Sequence, residues 1–501
     1  MFAQSPSRLL GTKLGKLGSI VPYVTAVVLC GCSVTVPSAA QTLTRGSSLA
    51  PGFYVATNGN DNNPGTLSQP FATLGRAQEA MQGSSTKTTY IRAGTYKPAP
   101  VAGASCMNGN SSASSVQLRQ GADDGETWSV YPPDGYNSAI LDGQSTKGNS
   151  GGSGGNGTGC GFSGNSLSNI TIVGLQFQNY LYSAFWVDNG ANLTFTSNVV
   201  HDLTAAAWGA GAVSTACAPG TLVENNYMYN LAYVSTYLLA RSNCPGGISN
   251  VVVSGNVIVN SCTWPAVHNF GNDQNGGDCG AIYLEDKTSS STNVQVVNNY
   301  VRDVNMSSNG AGDYGSNGRD GCCAMGVYLD DGTSNVTVTG NILAGIMSGC
   351  VQMNDAENNV ITGNICDLAD SAYQSIVIYG WGFRTLTTMD GNVFEHNIVI
   401  SGSSGDGRGF YGSTRTPDPM SISNNAYYNY VGSSITTTGN SAVGSDSNPV
   451  YENPQISGWK YRIATGSPVF NSPVSFPGII GGWGPPLFVV PKNGTPPSCP
   501  H

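Results

Sequence analysis

The residues best placed to do chemistry are carboxylates at matching points of a repeated phrase. Ala281-Ile-Tyr-Leu-Glu-Asp286 and Met325-Gly-Val-Tyr-Leu-Asp-Asp331 are near copies. A third copy, Cys350-Val-Gln-Met-Asn-Asp355, keeps the spacing and loses one acid. If Tyr283 stacks on Tyr328, Glu285 stacks on Asp330 and Asp286 on Asp331. Parallel strands lie about 4.8 Å apart, so such pairs would stand about 5 Å apart before the side chains diverge. Two carboxylates at about 5–5.5 Å suit glycosidic hydrolysis with retention, and wider pairs suit inversion. Strand alternation puts Glu285 and Asp330 on the Tyr face, and Asp286 and Asp331 on the Leu face, the expected core. Both of the latter end their strands, so a turn could swing them outward, and the sequence leaves open which pair reaches solvent.

More acids flank these four. Asp278 and Asp320 precede the two phrases at like positions and could add a third carboxylate or a calcium ligand. Asp355 and Glu357 fall one repeat beyond Asp331, where either could serve as acid or base. Without a CxxC pair or a His/Cys cluster, nothing points to zinc. No cofactor is required by this chemistry, and calcium is the one ion the acids suggest. Capping of turn amides is the alternative use for all of them.

The elements that must position these acids are short β-branched runs, each closed by asparagine. Asn198, Asn226, Asn256, Asn299, Asn341, Asn364, Asn397 and Asn425 form a column. A period of 20–50 residues marks a solenoid, and the Val/Ile/Thr runs select strands over helices. Asparagine tolerates the left-handed backbone of a sharp bend, and stacked amides can bond along the ladder. The column is therefore read as structural, as are His201 and His396. The two longest intervals, 43 and 42 residues, flank Asn299. Their excess lies in residues 262–278 and 302–323, which carry Trp264, His268, Phe270 and Tyr314. Long loops on adjacent repeats build a cleft wall, and aromatic faces suit sugar rings. Trp264, His268 and Tyr314, with Asp278, Asp320, Asp355 and Glu357, are the expected substrate contacts.

Composition agrees. Charged residues make up 10% of the 501-residue chain, and Gly numbers 67. That pattern, with short β-branched runs, indicates an all-β protein rich in turns. The net charge of −9 excludes a phosphate-backbone partner such as nucleic acid. It suits a neutral glycan better than a polyanion.

At the start of the mature chain, Gly59-Asn-Asp, Pro64-Gly-Thr66, Pro70-Phe-Ala-Thr73 and Gly94-Thr-Tyr96 resemble the entry module of right-handed parallel β-helix proteins of the pectate-lyase-like superfamily. The resemblance runs from about residue 53 to 470. It implies a single-stranded right-handed parallel β-helix with a short N-terminal capping helix, expected over residues 70–81 from Phe71, Leu74, Ala77 and Met81. It also implies action on polysaccharides. The phrase Gly326-Val-Tyr-Leu-Asp-Asp331 resembles β-helix glycoside hydrolases of the β-xylosidase and α-fucosidase/xylanase kinds. In those the next repeat often carries a His-Gly-Gly-Arg-like turn. Here that place holds Asn354-Asp-Ala-Glu357.

The leading expectation is glycoside hydrolysis by Glu285, Asp286, Asp330 and Asp331. The alternatives are a polysaccharide lyase with a Lys or Arg base and calcium, and a non-catalytic carbohydrate-binding or cell-surface solenoid. Lys287, Arg302, Arg319 and Arg384 lie near the acids without a recognisable base pairing.

Basic residues before an apolar run, then Ser38-Ala-Ala40, read as an export signal over residues 1–40. Leu29-Cys-Gly-Cys32 alternatively resembles a lipoprotein box, with membrane attachment only through lipidated Cys32. The expected protein is a secreted, periplasmic or surface-exposed bacterial monomer, with a linker at 41–52, the β-helix at 53–470 and a Pro-rich tail at 471–501. Eleven of the 13 cysteines lie beyond the export signal and fit an oxidising compartment, and neighbouring loops suggest Cys217–Cys244, Cys262–Cys279 and Cys350–Cys366.

Overall fold

Each repeat folds as three short strands in turn, such as Gly280–Asp286, Val294–Val297 and Tyr300–Val304. The next repeat lays Met325–Asp330, Val336–Thr339 and Ile342–Ile346 parallel beside them. The computed structural model describes residues 49–470 apart from 102–105, 107–112, 147–156, 206–208, 264–278, 305–323, 347, 369–374, 381–388, 403–408, 413–419, 433, 436–442, 458–460 and 464–466. Among the described residues the strands form parallel sheets of 12, 10 and 11 members, each a succession of every third strand except where Phe53–Val55 pairs with the next strand, Thr88–Ile91. This is a parallel β-helix, as the periodicity required. The export signal, the lipoprotein box and the Pro-rich tail lie outside the described residues. No described helix is long and apolar enough to cross a membrane.

The interior is filled by columns in register. Phe162, Phe185, Val213, Thr236, Ile282, Val327 and Val351 follow one another up the ten-stranded sheet. Side chains alternate across a strand, so the tyrosines between these positions face away from the interior.

The asparagine column is a continuous buried ladder. Asn256 donates its amide to Asn299 Oδ1 at 2.9 Å, and Asn299 donates to Asn341 at 2.9 Å. The same bond links every neighbour from Asn198 to Asn425. Asp446 accepts from the last one. One expectation is corrected: none of the ladder asparagines takes the left-handed conformation. The residue before each one does: Ser197, Asn225, Gly255, Asn298, Gly340, Gly363, His396 and Asn424. The ladder side chain must point inward to meet backbone carbonyls such as Val253 O, so the bend is made one residue earlier. Gly340 is needed there because a Cβ would come within 2.2 Å of Asn298 Oδ1. Each broken rung would strand buried donors at about 1–3 kcal/mol apiece.

The single described α-helix spans Leu74–Gln82, shorter than expected. Asp61 accepts from Ala72 N, Thr73 N and the Thr73 hydroxyl, which holds residues 71–73 extended. Phe71 accordingly bridges Val55 as a strand residue, and Thr73 caps the helix by accepting from Arg76 N. Leu74, Ala77 and Met81 form the buried face. The helix is tied to the next coil where Gln78 and Gln82 donate to the buried Asp123 carboxylate.

Beyond Asn425 the chain adds one more partial coil, in which Val450 bridges Ala426 in parallel, and then Ile456–Ser457 and Arg462–Ile463 form an antiparallel pair. Tyr461, Ile463 and Val469 pack on Tyr300, Ile342, Ile365 and Ile398 of the 11-stranded sheet, and Tyr461 donates to Asp367 at 2.5 Å.

Four disulfides are present among the described residues. Cys217–Cys244, Cys262–Cys279 and Cys350–Cys366 are the three that sequence neighbourhood suggested, and Cys106–Cys160 is added. Such bonds persist in oxidising compartments. Cys322, Cys323 and Cys499 lie outside the described residues.

Candidate functional site

Two columns on the outward face of the ten-stranded sheet bring the acids together. Tyr237, Tyr283 and Tyr328 are register partners, with ring centroids 4.9 and 4.6 Å apart. Two residues further along each strand, Leu239, Glu285 and Asp330 form the second column. The stacking of Glu285 on Asp330 is thus as the repeated phrase required. Each carboxylate also receives a hydrogen bond from the tyrosine one coil before it: Tyr237 to Glu285 and Tyr283 to Asp330. Glu285 and Asp330 are both buried despite their outward direction. Charged oxygens out of water need donors, and the tyrosine hydroxyls supply them. Burial, and then the neighbouring Glu285 charge, holds the Tyr237 hydroxyl well above its ordinary pKa, so it stays a donor.

Asp286 and Asp331 divide. Asp286 lies in register with the interior residue Ala240 and stays in. One of its oxygens accepts from Thr288 N at 2.9 Å and the Thr288 hydroxyl at 2.5 Å, the other from Ser291 N at 2.9 Å and the Ser291 hydroxyl. Its four donors all come from the following turn. Asp331 has a left-handed backbone, φ 44°, which turns its side chain outward to 15% exposure.

Lys287 joins the clusters. Its ammonium lies 2.5 Å from Glu285 Oε1 and 3.7 Å from Asp331 Oδ2, and the side chain is 25% exposed. The short contact to Glu285 is an ion pair off the hydrogen-bond direction, which leaves Oε1 without a hydrogen-bond donor. Asp330 is saturated differently: Asn354 Nδ2 donates at 2.6 Å and Asp331 N at 2.9 Å, both to Oδ1. Asn354 in turn keeps a buried Oδ1 with no hydrogen-bond partner among the described residues.

Of the other expected contacts, Asp355 is buried, with the left-handed backbone that Asp331 shows one coil earlier. Glu357 lies past that turn, opposite Ser334. Asp278, Asp320, Trp264, His268, Phe270 and Tyr314 lie outside the described residues. Among the described residues no group of three or more His, Cys, Asp or Glu is placed to hold a metal ion. His201 stacks on Tyr229 at 4.7 Å and contacts Gln176 and Asp202, away from these acids.

Sequence reasoning passed over Asn354, Tyr237 and Tyr283 as site residues and weighed Lys287 only as a base. The signal for the tyrosines was present in the repeated Tyr-Leu-acid spacing. Asn354 stands in the third phrase where the other two have Glu285 and Asp330.

No family model and no curated protein matches the sequence. Solved structures of similar shape exist at low identity. A structure titled as XylC with xylose is 10% identical, with a TM-score of 0.47, over 81% of this chain and 87% of that one. The catalytic domain of GH87 alpha-1,3-glucanase with tetrasaccharides is 12% identical, with a TM-score of 0.47, over 81% and 69%. A rhamnogalacturonan lyase is 13% identical, with a TM-score of 0.40, over 80% and 87%. These likenesses carry no activity over to this chain.

Proposed function

We propose that this β-helix hydrolyses a glycosidic bond of a poly- or oligosaccharide, with Glu285 and Asp331 as the working pair. The observation that carries the reading is the shared Lys287 ammonium. Because both carboxylates touch it, their facing oxygens lie within roughly 6 Å, inside reach of the retaining separation of about 5–5.5 Å. Asp331, the more accessible of the two acids, donates its proton to the leaving oxygen as the bond from that oxygen to the anomeric carbon breaks. Glu285 supplies the electron pair that forms the glycosyl ester. Water then gives a proton back to Asp331, and its oxygen bonds the anomeric carbon as the ester breaks, releasing Glu285. Lys287 must swing off Glu285 for substrate to enter. Asp330, Tyr237 and Tyr283 are positioning residues, and Asn354 Oδ1 is an acceptor for a sugar hydroxyl. Asp286 serves the turn.

The lyase reading has less support. The Lys287 ammonium is ion-paired and has no lone pair to take a proton. Arg241 is bound to Asp188 at 2.6 Å, and Arg302 to Asp303 at 3.0 Å.

The test is a reducing-sugar screen of neutral and acidic polysaccharides, with ultraviolet absorbance followed in parallel. New reducing ends without unsaturated products, lost in Asp331→Asn, support the hydrolase. Unsaturated products would replace it with the lyase. Binding without turnover would leave a non-catalytic solenoid.

A further inference from the structure

The outward face that carries the acids continues toward the N-terminal end of the helix and changes character there. In register along the Tyr column, the preceding positions are Ser214, Trp186 and Ser163. Trp186 is the one large side chain among these three, with a serine on each neighbouring coil. It is half-buried, while its strand neighbours Phe185 and Val187 sit in the interior. A serine is too small to cover an indole. Part of the indole, which packs against the core, therefore stays accessible on the same face as Glu285.

Asp188 lies beside it, two residues along the strand. It belongs to the second column, which runs Asn165, Asp188, Ala216, Leu239, Glu285. Arg241 reaches back across two coils to bind Asp188 and remains 35% exposed. Its backbone is held by the turn that Cys217–Cys244 closes: Arg241 N donates to Cys244 Sγ at 2.9 Å, and Cys244 N donates to Arg241 O at 2.9 Å. Arg241 and Lys287 also occupy equivalent places on adjacent coils, each following the paired residues Ala240 and Asp286. A flat ring surface thus stands beside a fixed guanidinium, on the face that leads to the acids.

We infer that Trp186, Asp188 and Arg241 form a second sugar-binding subsite, which rests on the hydrolase reading and makes the substrate a chain longer than a disaccharide lying along the helix axis. Three coil steps separate Asp188 from Glu285, roughly 14 Å at about 4.8 Å per step, beyond the reach of one sugar ring. The indole takes the C–H face of a pyranose, as aromatic side chains with one wet face do. Arg241 donates the N–H groups not used on Asp188 to ring hydroxyls.

The test is calorimetric titration with the hexamers and dimers of xylose, glucose and galacturonate, using the full chain. For any hexamer that the wild type binds, Trp186→Ala lowers affinity at least tenfold, Trp186→Phe restores part of it, and dimer affinity is unchanged. Arg241→Gln weakens the same hexamer without touching the indole. Thermal unfolding of each variant confirms that it is folded, and Arg241→Gln carries the test alone if Trp186→Ala is not. Equal losses for hexamer and dimer, or none, would overturn the subsite and leave the hydrolase reading standing. Failure of the wild type to bind any hexamer would overturn both.

Discussion

Tyr283 gives its hydroxyl hydrogen bond to Asp330, which lies one coil on and two residues past the tyrosine's own register partner, Tyr328. Tyr237 makes the same diagonal contact to Glu285. The repeat thus passes one donor forward to each buried carboxylate, and the ring stack is separable from the hydrogen bond.

Tyr283→Phe separates them. The ring contact with Tyr328 at 4.6 Å survives, and only the donor to Asp330 goes. A hydrogen bond to a charged group contributes about 1.5–3 kcal/mol, so urea denaturation should show a loss in that range. Turnover should fall with KM little changed, because Asp330 positions rather than binds. An unchanged turnover would remove Asp330 from the site.

Asp286 and Asp331, alike in sequence, should behave oppositely. Asp286→Ala strands four donors, the two from Ser291 buried and the two from Thr288 partly so, and should cost on the order of 3 kcal/mol. Asp331→Asn removes a partly exposed charge from a shared ion pair and should cost about 1 kcal/mol, yet abolish turnover. Thermal melts and reducing-sugar assays on both variants decide the matter. If Asp331→Asn remains active, the pair assigned here is wrong.

That opposition marks where the sequence stopped being legible. The solenoid, the asparagine ladder, three disulfides and the stacking of Glu285 on Asp330 follow from period and spacing, because one coil repeats the geometry of the last. The fates of Asp286 and Asp331 do not. Asp286 closes its strand and is held inward by the turn Thr288 to Ser291, whereas Asp331 falls one residue past the end of its strand and its own left-handed backbone sends it outward. Lys287 was visible but not its reach, since a long side chain has many rotamers. The helix start was misplaced because Asp61, distant along the chain, holds Phe71 extended.

Glu126 should make stability depend on pH. Burial, and then the adjacent Asp123 charge, raise its carboxyl to about 9, against donation from Trp128 and the more distant charge of Lys87. The unfolded chain releases that proton near 4.5. The folded state therefore binds more protons between these values, and stability falls as pH rises through that window. The contribution is complete below about 4.5 and gone above about 9. Asp123 also anchors the helix through Gln78 and Gln82, so the helix should loosen first. Denaturant midpoints measured across this range should decline for the wild type, and Glu126→Gln should flatten its share of the slope. Parallel curves would mean that Glu126 is ionised throughout.

Stereochemistry tests the working pair most directly. Inverting hydrolases hold their carboxyl groups about 6.5–9.5 Å apart to admit a water between them. Glu285 and Asp331 share the Lys287 ammonium, so their facing oxygens are closer than that, within roughly 6 Å. In the pair proposed here the attacking group is Glu285 itself, and the first product should keep the anomeric configuration of the substrate. Proton NMR of the earliest product, before mutarotation, reads this outcome. Asp331→Gly, which removes the acid/base, should still form the glycosyl ester from a substrate with a good leaving group, and added azide should release it with the same configuration. An inverted first product would require a water between the two carboxylates and would exclude this pair.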